Sequence, residues 1–331
     1  MTGRGMDLTI VIVNWNGGQL LMRCLKSIRT HAGPTGVSVI VVDNDSKDGS
    51  RQAAAEHFPE FRVINSGANL GFGRANNLAR NLVTTPLVLF LNPDTELLEG
   101  ALENAVRCLN EHPDVGALGC RMLEPDGTVQ ELGLQWPITA WTAFLELLFV
   151  THRSRHRLRR WLPTVDPSHS AYVRKLYGGF LLVRRDVLDA AGWFDERYFM
   201  YAEDADLCRT IPALGWKLYY CAESVIVHVG GGVTTGAPST FSTLMGLESI
   251  NKMIAKYQGR TAASLHRMAV LAGGLARLGA VLLVGATRAG RRSETSAAQW
   301  KASCLKQRQL VLWSLGLRRA PIPVARSHNA D

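Results

Sequence analysis

Three places in the chain set side chains at spacings suited to chemistry. Asn92-Pro93-Asp94-Thr95-Glu96 puts an amide and a carboxylate on the turn leaving the apolar run Leu87 to Leu91. Their oxygens can face a divalent ion bridging a diphosphate, and such an ion would act as a Lewis acid on the departing group. The competing use of the stretch is a turn into a helix over Leu98 to Leu109, with Thr95 as N-cap. Glu203-Asp204-Ala205-Asp206 crowds three carboxylates into four residues, just after the aromatic stretch Trp193, Phe194, Tyr198, Phe199, Met200 and Tyr201. Crowded carboxylates in apolar surroundings raise one another's pKa, and one of them can take a proton from a hydroxyl as general base, typically worth ~10²–10⁴ in rate. At a helix start the same acids would complement the dipole. His228 is the third place: imidazole is a common metal ligand, and Gly230, Gly231 and Gly232 permit close backbone approach to a ligand. A lone histidine is otherwise a structural residue.

The elements that must hold these residues alternate in type. Leu8 to Val13 and Val37 to Val42 are short β-branched runs, Phe61 to Ile64 and Leu87 to Leu91 two more, and helical spacing falls on Gln19 to Thr30, Ser50 to His57 and Ala75 to Val83. Strand and helix alternation over about 90 residues implies an α/β fold with a doubly wound, mostly parallel sheet, whose ligands bind at the carboxyl ends of the strands. Asn14 and Trp15 follow the first strand, Asp43 the second and Asp94 the fourth, so three strand ends converge on one crevice. Asp and Asn also dominate turns for backbone reasons alone. Val115 to Gln135, with Pro125-Asp126-Gly127, reads as a hairpin region at the sheet edge.

The 331 residues carry 37 Lys+Arg against 28 Asp+Glu, a formal +9 that suits an anionic partner. The excess is local. His152 to Arg160 holds five arginines and two histidines beside the apolar Ile138 to Val150, a pairing that fits either an interfacial segment or a core helix followed by a solvated loop. In Thr261 to Arg292, Met268, Leu271, Leu275, Leu278 and Leu282 form one helical stripe, with Arg267, Arg277, Arg288 and Arg292 in a neighbouring sector. An arginine near mid-span costs roughly 2.5–3.5 kcal/mol on insertion scales, so this segment is expected to lie on a membrane and not cross it. Residues beyond about Pro321 read as a frayed tail. The six scattered cysteines lack metal-ligand spacing and read as reduced thiols, and Met1 to Asp7 is too short for a signal-peptide core. No GxGxxG follows the first strand, where Asn14-Trp15-Asn16-Gly17-Gly18 stands instead, which argues against a dinucleotide-binding oxidoreductase. No motif supports nucleic-acid binding.

Four blocks occur in order: Val41-Val42-Asp43-Asn44-Asp45-Ser46-Lys47-Asp48-Gly49-Ser50, Asn69-Leu70-Gly71-Phe72-Gly73, Leu91-Asn92-Pro93-Asp94-Thr95, and Gly192 to Cys208 with Trp193-Phe194-Asp195-Glu196-Arg197-Tyr198 and Glu203-Asp204-Ala205-Asp206. Together, from about Leu8 to Gly232, the chain resembles family 2 glycosyltransferases, above all rhamnosyltransferase-like members that build surface polysaccharides on lipid carriers. The resemblance implies a GT-A fold and inverting transfer from a nucleoside-diphosphate sugar of dTDP or UDP type, with Mg²⁺ or Mn²⁺. It implies that Trp15 stacks on the base, Asp43 bonds its edge, and Asn92 with Asp94 stands where the family's Asp-x-Asp element binds ribose, diphosphate and metal. Asn14, Asn69, Gly71, Arg74 and Asn76 complete the donor set. Asp204 would be the base beside Glu203, His228 would complete the metal site, and Gly178, Gly179 and Tyr201 would flank the acceptor. Two departures stand out: the arginine is Arg74 and does not directly precede Asn76, and Thr210 occupies a frequent arginine position, with Pro212 expected to kink the helix.

The expected organisation is a catalytic domain over 1–235, its nucleotide-sugar half about 7–120 and its acceptor half about 121–235. A helical, basic, membrane-associating extension follows over 236–331. The expected partners are the donor sugar, a lipid-linked or polysaccharide acceptor and an anionic membrane surface, with a homodimer open and no nucleic acid. The expected place is cytoplasmic, peripheral on the inner face of the cell membrane. The rival reading is a non-catalytic membrane-associated module that binds nucleotide sugar without turnover.

Overall fold

Every residue of the first strand, β1 (Leu8–Asn14), is buried. Leu8, Ile10 and Ile12 pack on one face of the sheet with Leu21, Leu25 and Ile28 of α1 (Gly18–His31), while Val11 and Val13 pack on the other with Ala75 and Phe194. A parallel strand covered on both faces must be apolar nearly throughout, which is why the pattern there is a run and not an alternation.

The structure is a computed structural model that describes residues 7–32, 36–130, 139, 165–230, 240–287 and 294–319. The chain divides into two compact units, one of Met1–Gln135, Pro163–Gly236 and Pro323–Asp331, the other of Trp136–Leu162 and Ala237–Ile322. Apart from Thr139, the apolar and basic segments at 138–150 and 152–160 lie outside the described residues, as do Gly231, Gly232, Arg288, Arg292 and the tail after Pro321.

The first unit continues through β2 (Val37–Asp43), α2 (Ser50–His57), β3 (Arg62–Asn65), α3 (Phe72–Asn77), β4 (Leu87–Leu91), β5 (Thr95–Leu97) and α4 (Ala101–Glu111). It closes with β6 (Val115–Leu123), β7 (Ala171–Val173), β8 (Phe180–Arg184), α5 (Arg185–Ala191), α6 (Glu203–Ala213) and β9 (Lys217–His228). One sheet runs β3-β2-β1-β4-β8-β6-β9-β5, with β7 also on β9. β1 to β4 are parallel, as expected; β8 enters antiparallel between β4 and β6, which makes the sheet mixed. Its Phe180 pairs with Leu91, so the turn before β8 lies at the carboxyl end of β4. On β9 the antiparallel pairing Thr95↔His228 carries the end of that strand to the same place.

Four local expectations change. Helix α3 stops at Asn77, and residues to Leu82 continue as turns. Thr95 is no helix cap: it opens β5, its hydroxyl donates to the Asn92 carbonyl at 2.6 Å, and α4 starts behind Gly100, whose φ of 74° favours glycine. The Pro125-Asp126-Gly127 turn does reverse the chain, but β6 before it lies between β8 and β9, because Val115 to Leu118 is buried by both neighbours. Pro212 falls in the last turn of α6, where few helical bonds remain to break. Spacing also missed one spatial cluster: the Cys108, Cys221 and Glu223 ligand atoms lie within 4.8 Å of one another, with both thiols pushed up by burial and so protonated.

In the second unit, α7 (Phe241–Thr287) is interrupted at Gly259, whose φ of 88° is not helical. The chain folds back there, since Ile254 clusters with Ala263 and the His266 Nδ1 reaches Asn251 Oδ1 at 3.1 Å. α8 (Glu294–Ser314) then runs antiparallel to the second arm: Trp300 donates to the Val281 carbonyl at 2.8 Å, and Arg267 donates to the Trp313 carbonyl. Leu244, Val270, Leu310 and Trp313 close the core of the three helical arms.

Burial, and secondarily Arg267, push the His266 imidazole down to about 4 from its ordinary 6.5. The unfolded chain therefore takes up this proton first as pH falls. Stability from the neutral ring is whole above about pH 6.5 and is lost progressively towards about 4, on the order of 3 kcal/mol in all. Melting curves of His266→Gln and the parent should converge over that window, and an unchanging offset would refute the assignment.

Candidate active site

The loops at the ends of β1 and β2 are built around one amide. Asn14 is fully buried, and its Nδ2 donates to Asp43 Oδ1 (3.0 Å), Ser46 Oγ (3.1 Å) and Ser50 Oγ (2.8 Å), while its Oδ1 accepts from the Gly17 N–H. Asp43 is also buried and accepts a second bond from the Ser46 N–H at 3.1 Å. Both side chains thus hold loop geometry, and Trp15 beside them stays half-buried. Asn44, which carried no assigned role in the sequence reading, ties this loop to the next: it donates to Asn69 Oδ1 at 2.9 Å and accepts from the Leu70 N–H at 2.8 Å.

Gly71 meets the segment ahead of α6. A Cβ there would stand well inside van der Waals contact distance of the Phe199 carbonyl oxygen, and that oxygen accepts from the Phe72 N–H at 2.8 Å, so only glycine allows the approach. Arg74 points outward and pairs with Glu196 at 3.6 Å. Asn76 is buried, donates to its own helix at Phe72 O (3.0 Å), and leaves its Oδ1 without a partner. Asn77, not singled out by sequence, clasps the Phe194 backbone through both ends of its amide (2.8 and 3.1 Å).

At the β4 end, Asp94 is buried and its Oδ1 lies 3.4 Å from His228 Nε2. Gln130 decides what that nitrogen offers. Its Nε2 donates to the His228 carbonyl at 2.8 Å, which turns its Oε1 towards His228 Nδ1 at 3.0 Å and so places the ring proton on Nδ1. Nε2 then presents a lone pair towards a carboxylate oxygen, with Asn92 Nδ2 3.5 Å away. A carboxylate with an imidazole is a donor set that fits a divalent ion. No sequence signal marks Gln130; only the turn at 124–128 brings it back.

The acid cluster reaches the same turn. Gly178 N–H donates to Asp204 Oδ2 at 3.2 Å, and the next residue, Gly179, accepts from the Asn92 N–H at 3.1 Å. Asp204 is half-buried; its Oδ1 accepts from the Ala205 N–H at 2.7 Å. Asp206 points inward and accepts from the Tyr198 hydroxyl at 3.1 Å. Glu203 is buried with Oε2 unpartnered, and burial, followed by the neighbouring Asp204 carboxylate, holds its pKa above the ordinary carboxylate range. Tyr201, exposed, and Ala202 precede it with φ of 65° and 75°. Among the described residues all five non-glycine positive φ values lie in these loops: Asn16, Asp45, Trp193, Tyr201 and Ala202. Strain of this kind concentrates at functional sites.

Residues 9–187 match the profile of Glycosyl transferase family 2. The chain belongs to that family. This glycosyltransferase is 32% identical over 248 residues to the N-acetylglucosaminyl-diphospho-decaprenol L-rhamnosyltransferase of Mycobacterium tuberculosis, across 67% of this chain and 75% of the relative. It is 24% identical over 227 residues to Rhamnosyltransferase WbbL of Escherichia coli, across 66% of this chain and 82% of that one. Its GT-A fold is similar to that of the mannosyltransferase PcManGT from Pyrobaculum calidifontis, solved in complex with GDP-Man and Mn²⁺, with a TM-score of 0.57 and 19% identity over 95% of this chain and 87% of that one.

Because the fold favours neutral Glu203, its stabilising contribution is present at low pH and is lost as pH rises beyond the ordinary carboxylate range. Glu203→Gln keeps the shape and removes the titration. Its melting temperature should gain on the parent's from about pH 5 to about pH 9, and a constant difference over that range would contradict the assignment.

Proposed function

We propose that this glycosyltransferase moves a sugar, with L-rhamnose from dTDP-rhamnose as first candidate, from a nucleoside-diphosphate donor to a hydroxyl of a lipid-linked or growing cell-surface glycan, with inversion. The observation that supports the reading is the Gly178-Gly179 turn, which bonds Asp204 on one side and Asn92 on the other and so brings the acid cluster near the strand end that carries Asp94. The rhamnosyl choice and the lipid-linked acceptor rest on the name of the Mycobacterium tuberculosis relative.

The hydroxyl proton of the acceptor passes to Asp204 as the oxygen attacks the anomeric carbon. The bond to the diphosphate breaks on the opposite face, its electron pair leaves with the diphosphate, and the configuration inverts. Asp204 suits the role because it is half-buried and already oriented by the Gly178 N–H. Asp94 and His228 would hold Mg²⁺ or Mn²⁺, which when bound neutralises charge on the leaving diphosphate. Trp15, Asn69 and the loop fastened by Asn14, Asp43, Asn44 and Gly71 form the donor side; Arg74 and Asn76 join it less directly. Gly178, Gly179 and Tyr201 face the acceptor. The reaction is assigned to the cytoplasmic face of a membrane, where a lipid-linked acceptor keeps its tail in the bilayer.

Asp204→Asn should lower kcat by about 10²–10⁴ or more with donor KM nearly unchanged; near-normal turnover would remove the base from Asp204. Gln130→Ala frees the His228 ring, so calorimetric Mn²⁺ affinity should fall by roughly 10–100-fold with the fold intact, and unchanged affinity would separate His228 from the metal. A thermal-shift series of nucleotide sugars with and without Mn²⁺ tests the donor, since a ligand bound by the native state raises its melting temperature.

A further inference from the structure

The second arm of α7 carries an exposed apolar line that the helical core does not use. Leu265, Met268, Leu275 and Leu282 follow one another at helical spacing and are 57%, 64%, 51% and 49% exposed. Leu283 beside them is 68% exposed, and the small residues Ala272 and Gly279 complete the line. The opposite side of this arm packs inward: Val270 joins the Trp313 cluster, His266 is buried, and a Cβ at Gly274 would come within 3.2 Å of Val311.

The charge pattern bears on what could cover the line. Between Glu248 and Glu294 the sequence contains no acidic residue and eight lysines and arginines. Arg267 does not stand in the basic sector that periodicity assigns it; it turns to the end of α8, where it donates to the Trp313 carbonyl and lies over the Trp313 ring. Arg260 at the fold-back stays exposed, as do Lys301, Lys306 and Arg308 on α8. An acid-free, cationic segment repels a similarly charged second copy and attracts an anionic lipid surface.

Residues Phe241–Leu283 are long and apolar enough to cross a bilayer by length and composition. The geometry argues against a crossing. The run is two arms folded back at Gly259, and α8 lies antiparallel along the second arm, so a crossing would carry Lys301, Lys306 and Arg308 into hydrocarbon.

We propose that the second arm of α7 lies in the plane of an anionic bilayer, with Leu265, Met268, Leu275 and Leu282 inserted among the acyl chains and the basic residues at headgroup level. This deepens the membrane placement proposed above but does not depend on which sugar is transferred. The test is flotation of the full-length protein with phosphatidylglycerol-containing and pure phosphatidylcholine vesicles, beside Leu275→Ser/Leu282→Ser. Both substitutions are at exposed positions, and an unchanged melting curve is the control for folding. The parent should float with anionic vesicles only, and the variant's partition should fall by on the order of tenfold or more. Transfer to a water-soluble, short-tailed acceptor should stay as in the parent, which separates this surface from the catalytic reading. Equal flotation of parent and variant would overturn the proposal. So would a dimer, seen by light scattering, that the serine variant converts to monomer without change in vesicle binding.

Discussion

One glycine pair, Gly178-Gly179, ties together the two ends of the candidate site. Gly178 turns its N–H to the Asp204 carboxylate and Gly179 its carbonyl to the Asn92 N–H, so a helix start and a strand end far apart in sequence share one short spacer. The spacer is positioned by β8, which pairs antiparallel with β4 at Leu91↔Phe180. The pair lies close to both groups: an ideal Cβ at Gly178 would stand 3.5 Å from Asp204 Cβ, and one at Gly179 would stand 3.3 Å from Met122 Cε and 3.6 Å from Asn92 Nδ2. On the proposed mechanism the base and the leaving-group site must keep their separation, and backbone hydrogen bonds supply that constraint better than long side chains do.

The loops at the ends of β1 and β2, which the proposal gives to the donor, are held by a different device, a relay of short amides and hydroxyls. Asn14 binds Asp43, Ser46 and Ser50; Asn44 binds Asn69 and Leu70; Gly71 admits the Phe199 carbonyl. Each link joins the loop of one strand to the loop of the next, and the last reaches the segment that starts α6. Donor loops and acid cluster are therefore parts of one hydrogen-bonded frame. The positive φ values at Asn16, Asp45, Tyr201 and Ala202, and the unpartnered carboxylate oxygen of Glu203, are the costs of that frame, and the buried sheet beneath offsets them.

What was legible from sequence follows from the range of the forces involved. Strands β1, β2 and β4 and helices α1 and α2 are written in local apolar runs and turn residues, and the convergence of Asp43 and Asp94 at strand ends follows from the topology those runs imply. The antiparallel entry of β8 and the pairing of β5 with β9 are non-local, and no periodicity announces them. That is why a helix cap at Thr95 stood as an alternative, and why β6 read as an edge. Asn14 and Asp43 were legible as strand-end residues, but their inward orientation depends on Ser46 and Ser50, ordinary turn residues by type. Gln130 was invisible because its partner, His228, is reached only through tertiary pairing.

The helical unit shows the same division between pattern and partner. Periodicity alone finds a leucine stripe in α7 and is compatible with a crossing helix, an in-plane helix or a core helix. The choice is made by what packs on the other side. Trp313 draws in Val270 and Leu310, Arg267 is spent on the end of α8, and Gly259 splits the long run into two arms. Leu271 and Leu278, which periodicity put on the stripe, are thereby partly covered, while Leu265 and Leu283 are left out in the open. A helix flanked along its length by a charged antiparallel neighbour can bury only one side in lipid, so the proposed in-plane placement is the orientation in which apolar face and charges would both be satisfied.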